Sequence, residues 1–113
     1  MPSAKDRRFL RRAVQVTFRV RDAEDPAQGD LLFDAVDLSQ GGAFLRSDLL
    51  FDAGQELGVT FELPDPERSV NVRARVAWAT RADHKGAPGM GISFVDLAGP
   101  DREAIAAFVK KWR

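Results

Sequence analysis

The sequence has no cysteine, no tyrosine, a single histidine and no excess of either charge: 17 Lys+Arg against 17 Asp+Glu, formal net charge +0. Each absence narrows the function. Without cysteine there is no disulfide framework and no thiolate metal site, which fits a reducing compartment. His84, in "DHKG", has no evident partner. No nucleophile–base pair and no metal-ligand spacing is visible, so no catalytic activity and no metal are expected. A chain with balanced charge has no global attraction to nucleic acid or to anionic membrane, so any anion binding must come from local clustering. The opening "MPSAKDRRFLRRAVQV" contains no long apolar run. Neither a signal peptide nor membrane insertion is expected, and the expected location is cytoplasmic. No repeat or low-complexity segment appears.

What is present suits one domain: 113 residues, 44% of them hydrophobic. From Val14 the pattern alternates, with Val14, Val16, Phe18 and Val20 on one side and Gln15, Thr17, Arg19 and Arg21 on the other. A period of two marks a half-buried strand. "DAEDPAQGD" (22–30) is a turn cluster. "LLFDAVDL" (31–38) and "GAFLRS" (42–47) read as strands broken at Ser39-Gln40-Gly41. Leu57, Val59, Phe61 and Leu63 alternate next. Val70, Val72, Ala74, Val76 and Trp78 form the longest alternating run, with Asn71, Arg73 and Arg75 outward. After the loop "RADHKGAPG", Met90, Ile92 and Phe94 make a last strand.

The period then changes. Ile105, Phe108, Val109 and Trp112 fall at helical spacing, with Pro100 expected as the first helical residue. Asp101 and Glu103 in the first turn and Lys110, Lys111 and Arg113 in the last suit the helix dipole. Six short strands with turn signals between them predict a mainly β fold, a six-stranded antiparallel barrel, with a C-terminal helix over 99–113 packed on it. Residues 1–12 form a basic N-terminal arm and 13–113 the barrel with its helix. With Lys5, Arg7, Arg8, Arg11 and Arg12 and no apolar repeat, the arm is expected to be mobile until something neutralises it.

Two clusters remain. "RRFLRR" (7–12) packs four arginines into six residues, and "DLSQGG" (37–42) combines an acid, a hydroxyl and two glycines at a strand junction. Alone, the second is an ordinary turn and the first a solvated basic tail. Together, Arg8-x-x-x-Arg12 just before the first strand and Asp37-x-Ser39-x-x-Gly42 at the junction resemble the signature of the PilZ domain. "SQGGAFLRSD", "AGQELGVTFELP", "VRARVAWAT" and "GMGISFVDL" are similar to its successive strands. The resemblance spans nearly the whole chain. It implies a PilZ-type barrel and a receptor for the bacterial second messenger cyclic di-GMP. The implied ligand-binding residues are Arg7, Arg8, Arg12, Asp37, Ser39, Gly41 and Gly42.

The residue types fit that ligand. Arginine's planar fork matches phosphate oxygens and the O6/N7 edge of guanine. A carboxylate accepts from guanine N1–H and N2–H. Ser39 offers a short donor–acceptor, and Gly42, without Cβ, lets backbone approach a ring. Arg7/Arg11 is a second register for the arginine pair; Arg8/Arg12 is preferred because Arg12 leads into the alternating strand. By resemblance, an arginine at position 7 goes with two ligands per chain as an intercalated dimer.

The remaining residues have plainer expectations. Trp78 and Trp112 are expected in the core. Gly89 and Gly91 are expected to serve close strand packing, and Arg73 and Arg75 a solvated face that is able to extend an anion site. The expected output is an unidentified downstream protein, reached when ligand orders the arm, with no DNA or RNA partner. A ligand-independent PilZ-like adaptor is the alternative. A barrel binding single-stranded nucleic acid is disfavoured, because such barrels need exposed aromatics in a basic groove and these phenylalanines mostly occupy inward positions.

Overall fold

The structure, a computed structural model, describes residues 12–47, 49, 51–64, 67–80 and 88–111, of which 12–15, 26 and 111 by backbone alone. Residues 1–11, Arg7 and Arg8 among them, lie outside the described residues, as do His84 and Trp112. The strands are β1 (Arg12–Asp22), β2 (Asp30–Leu38), β3 (Gly42–Arg46), β4 (Glu56–Pro64), β5 (Glu67–Thr80) and β6 (Gly89–Val95). All neighbours are antiparallel, and they close a barrel in the order β1-β2-β3-β6-β5-β4. One helix, α1 (Gly99–Lys111), follows. The mainly β barrel with a C-terminal helix is therefore the fold the alternation predicts. Arg12, assigned to the arm from sequence, is already the first residue of β1.

Alternation puts the apolar residues inside. Val16, Phe18, Val20, Leu57, Val59, Phe61, Leu63, Val70, Val72, Ala74 and Val76 are all buried. Phe18 and Phe61 are cross-strand partners whose rings stack at 4.2 Å, and Phe94 stacks on Phe61 at 5.9 Å. Burying each such ring stabilises by roughly 1.5–3 kcal/mol, so this column anchors the closure of β1 on β4.

The helix presents Ile105, Phe108 and Val109 to the core, as its spacing predicts. It starts at Gly99, one residue before Pro100: the Arg102 N–H donates to the Ala98 carbonyl at 2.9 Å. Pro100 is thus the second residue of the first turn, where its missing N–H still costs no intrahelical bond. Asp101 is buried in the same turn and accepts from Arg68 Nε at 2.7 Å, which ties the start of the helix to β5.

Trp78 departs from expectation. It is 51% exposed. The β5–β6 register pairs Val76 with Ile92 but Trp78 with Gly91, a β-bulge that shifts the phase by one residue. Beyond it Ala79, not Trp78, opposes the buried Met90. A one-residue shift moves a side chain to the other face.

Candidate ligand site

The turn between β2 and β3 holds the acid–serine–glycine cluster. Ser39 is 2% exposed, and its N–H donates to the Gly42 carbonyl at 2.9 Å. Its Oγ donates to the same carbonyl at 3.4 Å and accepts from the Gly41 N–H at 3.2 Å. A serine that bonds its own turn in this way fixes the turn's shape. The Gly41 carbonyl accepts from the Phe94 N–H at 2.9 Å, fastening the turn to β6. Gln40 Nε2 donates to the Arg102 carbonyl at 3.4 Å, which links the turn to α1.

Neither Gly41 nor Gly42 has a positive φ, so the turn's handedness does not call for glycine. Gly42 is glycine for another reason: a Cβ there would overlap the backbone carbonyl of Ile92 on β6. The open approach anticipated for a ligand ring is, on the Cβ side, an approach of β6.

A second bulge orients the aspartate. β2 pairs Ala35 with Leu45 but Asp37 with Phe44, leaving Val36 as the extra residue. Phe33 and Ala35 are buried, so unbroken alternation would also bury position 37. With the bulge, Leu38 is buried and Asp37 is only partly so. Asp37 Oδ1 accepts from the Phe44 N–H at 3.2 Å. The β1–β2 register is also irregular between Ala13 and Val16, and it sets Arg12 opposite Leu38 and Ala13 opposite Asp37. The backbone of the arm's last arginine therefore enters the barrel beside the aspartate.

The two bulges meet in one register row. Across the sheet, Ala13 pairs with Asp37, Asp37 with Phe44, Phe44 with Gly91, and Gly91 with Trp78. The Phe44 and Trp78 rings stack at 5.3 Å. A Cβ at Gly91 would strike the Trp78 indole, and one at Gly89 the Phe44 ring, so the two glycines are the floor on which the rings lie. Close strand packing, the role expected of both, holds for Gly89, whose Cβ would also meet the Leu45 carbonyl, whereas at Gly91 the nearest atoms belong to the Trp78 ring. Three strand spacings, about 14 Å, separate the Asp37 and Trp78 backbones. The result is an outward carboxylate at one end of an aromatic shelf. Sequence reasoning missed the shelf. The signal for it was the Gly89/Gly91 pair, one face of a strand without side chains that large neighbouring rings must cover.

Arg73 and Arg75 face outward as expected, in ion pairs with Asp96 at 2.8 Å and Glu56 at 3.2 Å. No helix among the described residues is long and apolar enough to cross a membrane.

The PilZ domain family matches residues 5–111. The chain is a member of the PilZ family. No curated protein matches it. Among solved structures it is similar to the Bacillus subtilis inhibitor of motility MotI/DgrA, at 19% identity and TM-score 0.81, covering 99% of this chain and 56% of that one. It is similar to the PilZ domain of YcgR from Escherichia coli, solved with c-di-GMP, at 13% identity and TM-score 0.70, covering 92% and 88%. It is also similar to MrkH, described as a c-di-GMP-dependent transcription regulatory factor, at 16% identity and TM-score 0.71, covering 93% and 50%. This PilZ chain thus spans about half of MotI/DgrA and of MrkH. Identities this low establish the shared barrel.

Proposed function

We propose that this chain is a receptor for cyclic di-GMP that acts by binding, without catalysis, and passes the signal to a partner protein. The observation that carries the reading is the pair of bulges: they turn Asp37 and Trp78, residues that strict alternation would bury, onto one outward row beside the entry of the arginine arm. Bulges that re-aim side chains concentrate next to functional sites. Family membership and the c-di-GMP complex of a similar barrel support the same ligand. In this reading Arg8 and Arg12 hold phosphate and guanine edges, Asp37 takes a guanine N–H face, and the Phe44–Trp78 shelf receives a base. Ser39, Gly41 and Gly42 hold the turn that carries Asp37. Ligand bridges arm to barrel, an order–disorder switch in a cytoplasmic setting.

Calorimetry tests this directly. Cyclic di-GMP is expected to bind at or below about 1 μM, roughly −8 kcal/mol. Arg8→Ala and Arg12→Ala are each expected to remove most binding with the barrel still folded. The expected stoichiometry is two ligands per chain, falling to one in Arg7→Leu, which loses a cation and gains apolar bulk. Absence of heat at tens of micromolar folded protein overturns the receptor reading. Saturation at one ligand overturns only the stoichiometry.

A further inference from the structure

The Phe44–Trp78 shelf lies between two outward rows of the sheet, and the rows differ. On one side Gly42 pairs with Ser93, Ser93 with Arg75 and Arg75 with Glu56. On the other, Asp34 pairs with Arg46, Arg46 with Gly89 and Gly89 with Thr80. The register also says on which side the first strand starts. Arg12, the first residue of β1, opposes Leu38, one step from the Ala13–Asp37 pair toward the β2–β3 turn. β1 therefore begins on the Gly42 side of the shelf, and the Arg46 row lies on the side away from that start.

Arg46 borders the shelf. It stands two residues from Phe44 on β3, on the same face and about 6.8 Å along the strand. Its cross-strand partner is Gly89, and the tip of the Phe44 ring lies over that glycine, so no β6 side chain stands between Arg46 and the ring. On β5 the exposed residues on either side of Trp78 are Ala77 and Ala79, which carry no polar group to hold a ligand's edge. Arg46 is exposed and makes no ion pair or side-chain hydrogen bond with a described residue, not even with Asp34 opposite it on β2. Other charges of the outer face are equally unpaired, so its position sets it apart. Arg19, the other arginine in that state among the described side chains, is two strands away from either ring of the shelf.

We infer that Arg46 reads the O6/N7 edge of a guanine laid on the shelf, and so selects guanine over adenine there. This rests on the receptor reading and deepens it by assigning base specificity to a residue outside the arginine and acid–serine–glycine motifs. Guanine carries its sugar on N9, and its O6/N7 edge is turned away from that sugar. With the phosphates held on the side where β1 begins, the edge of the stacked base faces the Arg46 row. O6 and N7 are both acceptors, and a guanidinium fork donates to the two at once. Adenine keeps N7 but puts an amino donor in place of O6, so the same fork meets one acceptor and one donor.

The test is calorimetry of the full chain with cyclic di-GMP and with its 7-deazaguanine analogue, which lacks the N7 acceptor. Arg46→Ala is expected to bind cyclic di-GMP about 5- to 150-fold more weakly than the unmodified protein. The analogue should cost the unmodified protein more affinity than it costs Arg46→Ala, which has already lost the N7 contact. Arg46→Lys keeps the charge without the fork, and its affinity should stay nearer to that of Arg46→Ala. Both variants should melt as the unmodified protein does, because the side chain is exposed and unbonded. Affinity of Arg46→Ala within about twofold of the unmodified protein, full recovery in Arg46→Lys, or an equal penalty for the analogue in both proteins would each overturn the assignment and leave the receptor reading standing. No binding of cyclic di-GMP by the unmodified protein would overturn both.

Discussion

The barrel wall carries aromatic stacks on both sides. Inside, Phe18, Phe61 and Phe94 form a column across β1, β4 and β6. Outside, Phe44 and Trp78 lie against each other over the glycines of β6. The inner stack is explained by burial alone: Phe18 and Phe61 are at most 2% exposed. The outer stack is not, because half of Trp78 faces water. Similar chemistry thus has different causes. Inward rings follow the two-residue period, whereas Trp78 reaches its position only through a bulge that breaks it. Departures from local rules tend to mark functional or strained positions, and here two of them converge on a single row.

The contrast is open to experiment from its supports inward. The largest effect is expected from Gly42→Leu. Its Cβ would overlap the Ile92 carbonyl, a backbone atom that cannot move without parting β3 from β6. A loss above about 4 kcal/mol, seen as a missing cooperative thermal transition, is the expected result. A folded Gly42→Leu protein that only fails to bind ligand would instead make the glycine a ligand contact. Next is Phe61→Ala, which removes the middle ring of the inner column. Loss of about 3–5 kcal/mol is expected in chemical denaturation. A much smaller loss would mean that the column is not what closes the barrel at β1 and β4.

The inner half of this comparison was legible in the sequence, since burial imposes a period that can be counted. Val70, Val72, Ala74 and Val76 are buried as the alternation predicts, and the helix stripe of Ile105, Phe108 and Val109 follows for the same reason. The outer half was legible only in part. Asp37 was found through the motif, not the pattern, because counting by two from Phe33 puts position 37 inside. Trp78 was misassigned because a bulge adds a residue to one strand without any mark in its own sequence, and shows only in register with the partner strand. The Arg68–Asp101 pair joins residues 33 apart and has no periodic signal at all.

The smallest stability effect and the sharpest functional one are expected from the same residue. Trp78→Ala removes a half-exposed ring from its stack on Phe44, worth about 0.5–1.5 kcal/mol, so the melting temperature should fall by only a few degrees. If the outer shelf exists to receive a base, the same change should cost about 1–3 kcal/mol of ligand binding, a loss of roughly 5- to 150-fold in affinity for cyclic di-GMP. Trp78→Phe should recover much of the binding, because a smaller ring still offers a face and still covers Gly91. The indole also reports on itself. The chain has two tryptophans, so a Trp112→Phe background leaves Trp78 as the only indole. A guanine laid on it should quench its emission in proportion to bound ligand. If Trp78→Ala lowers stability by several kcal/mol and leaves affinity and quenching untouched, the outer stack is a structural cover for Gly91, and the two sides of the wall have the same cause after all.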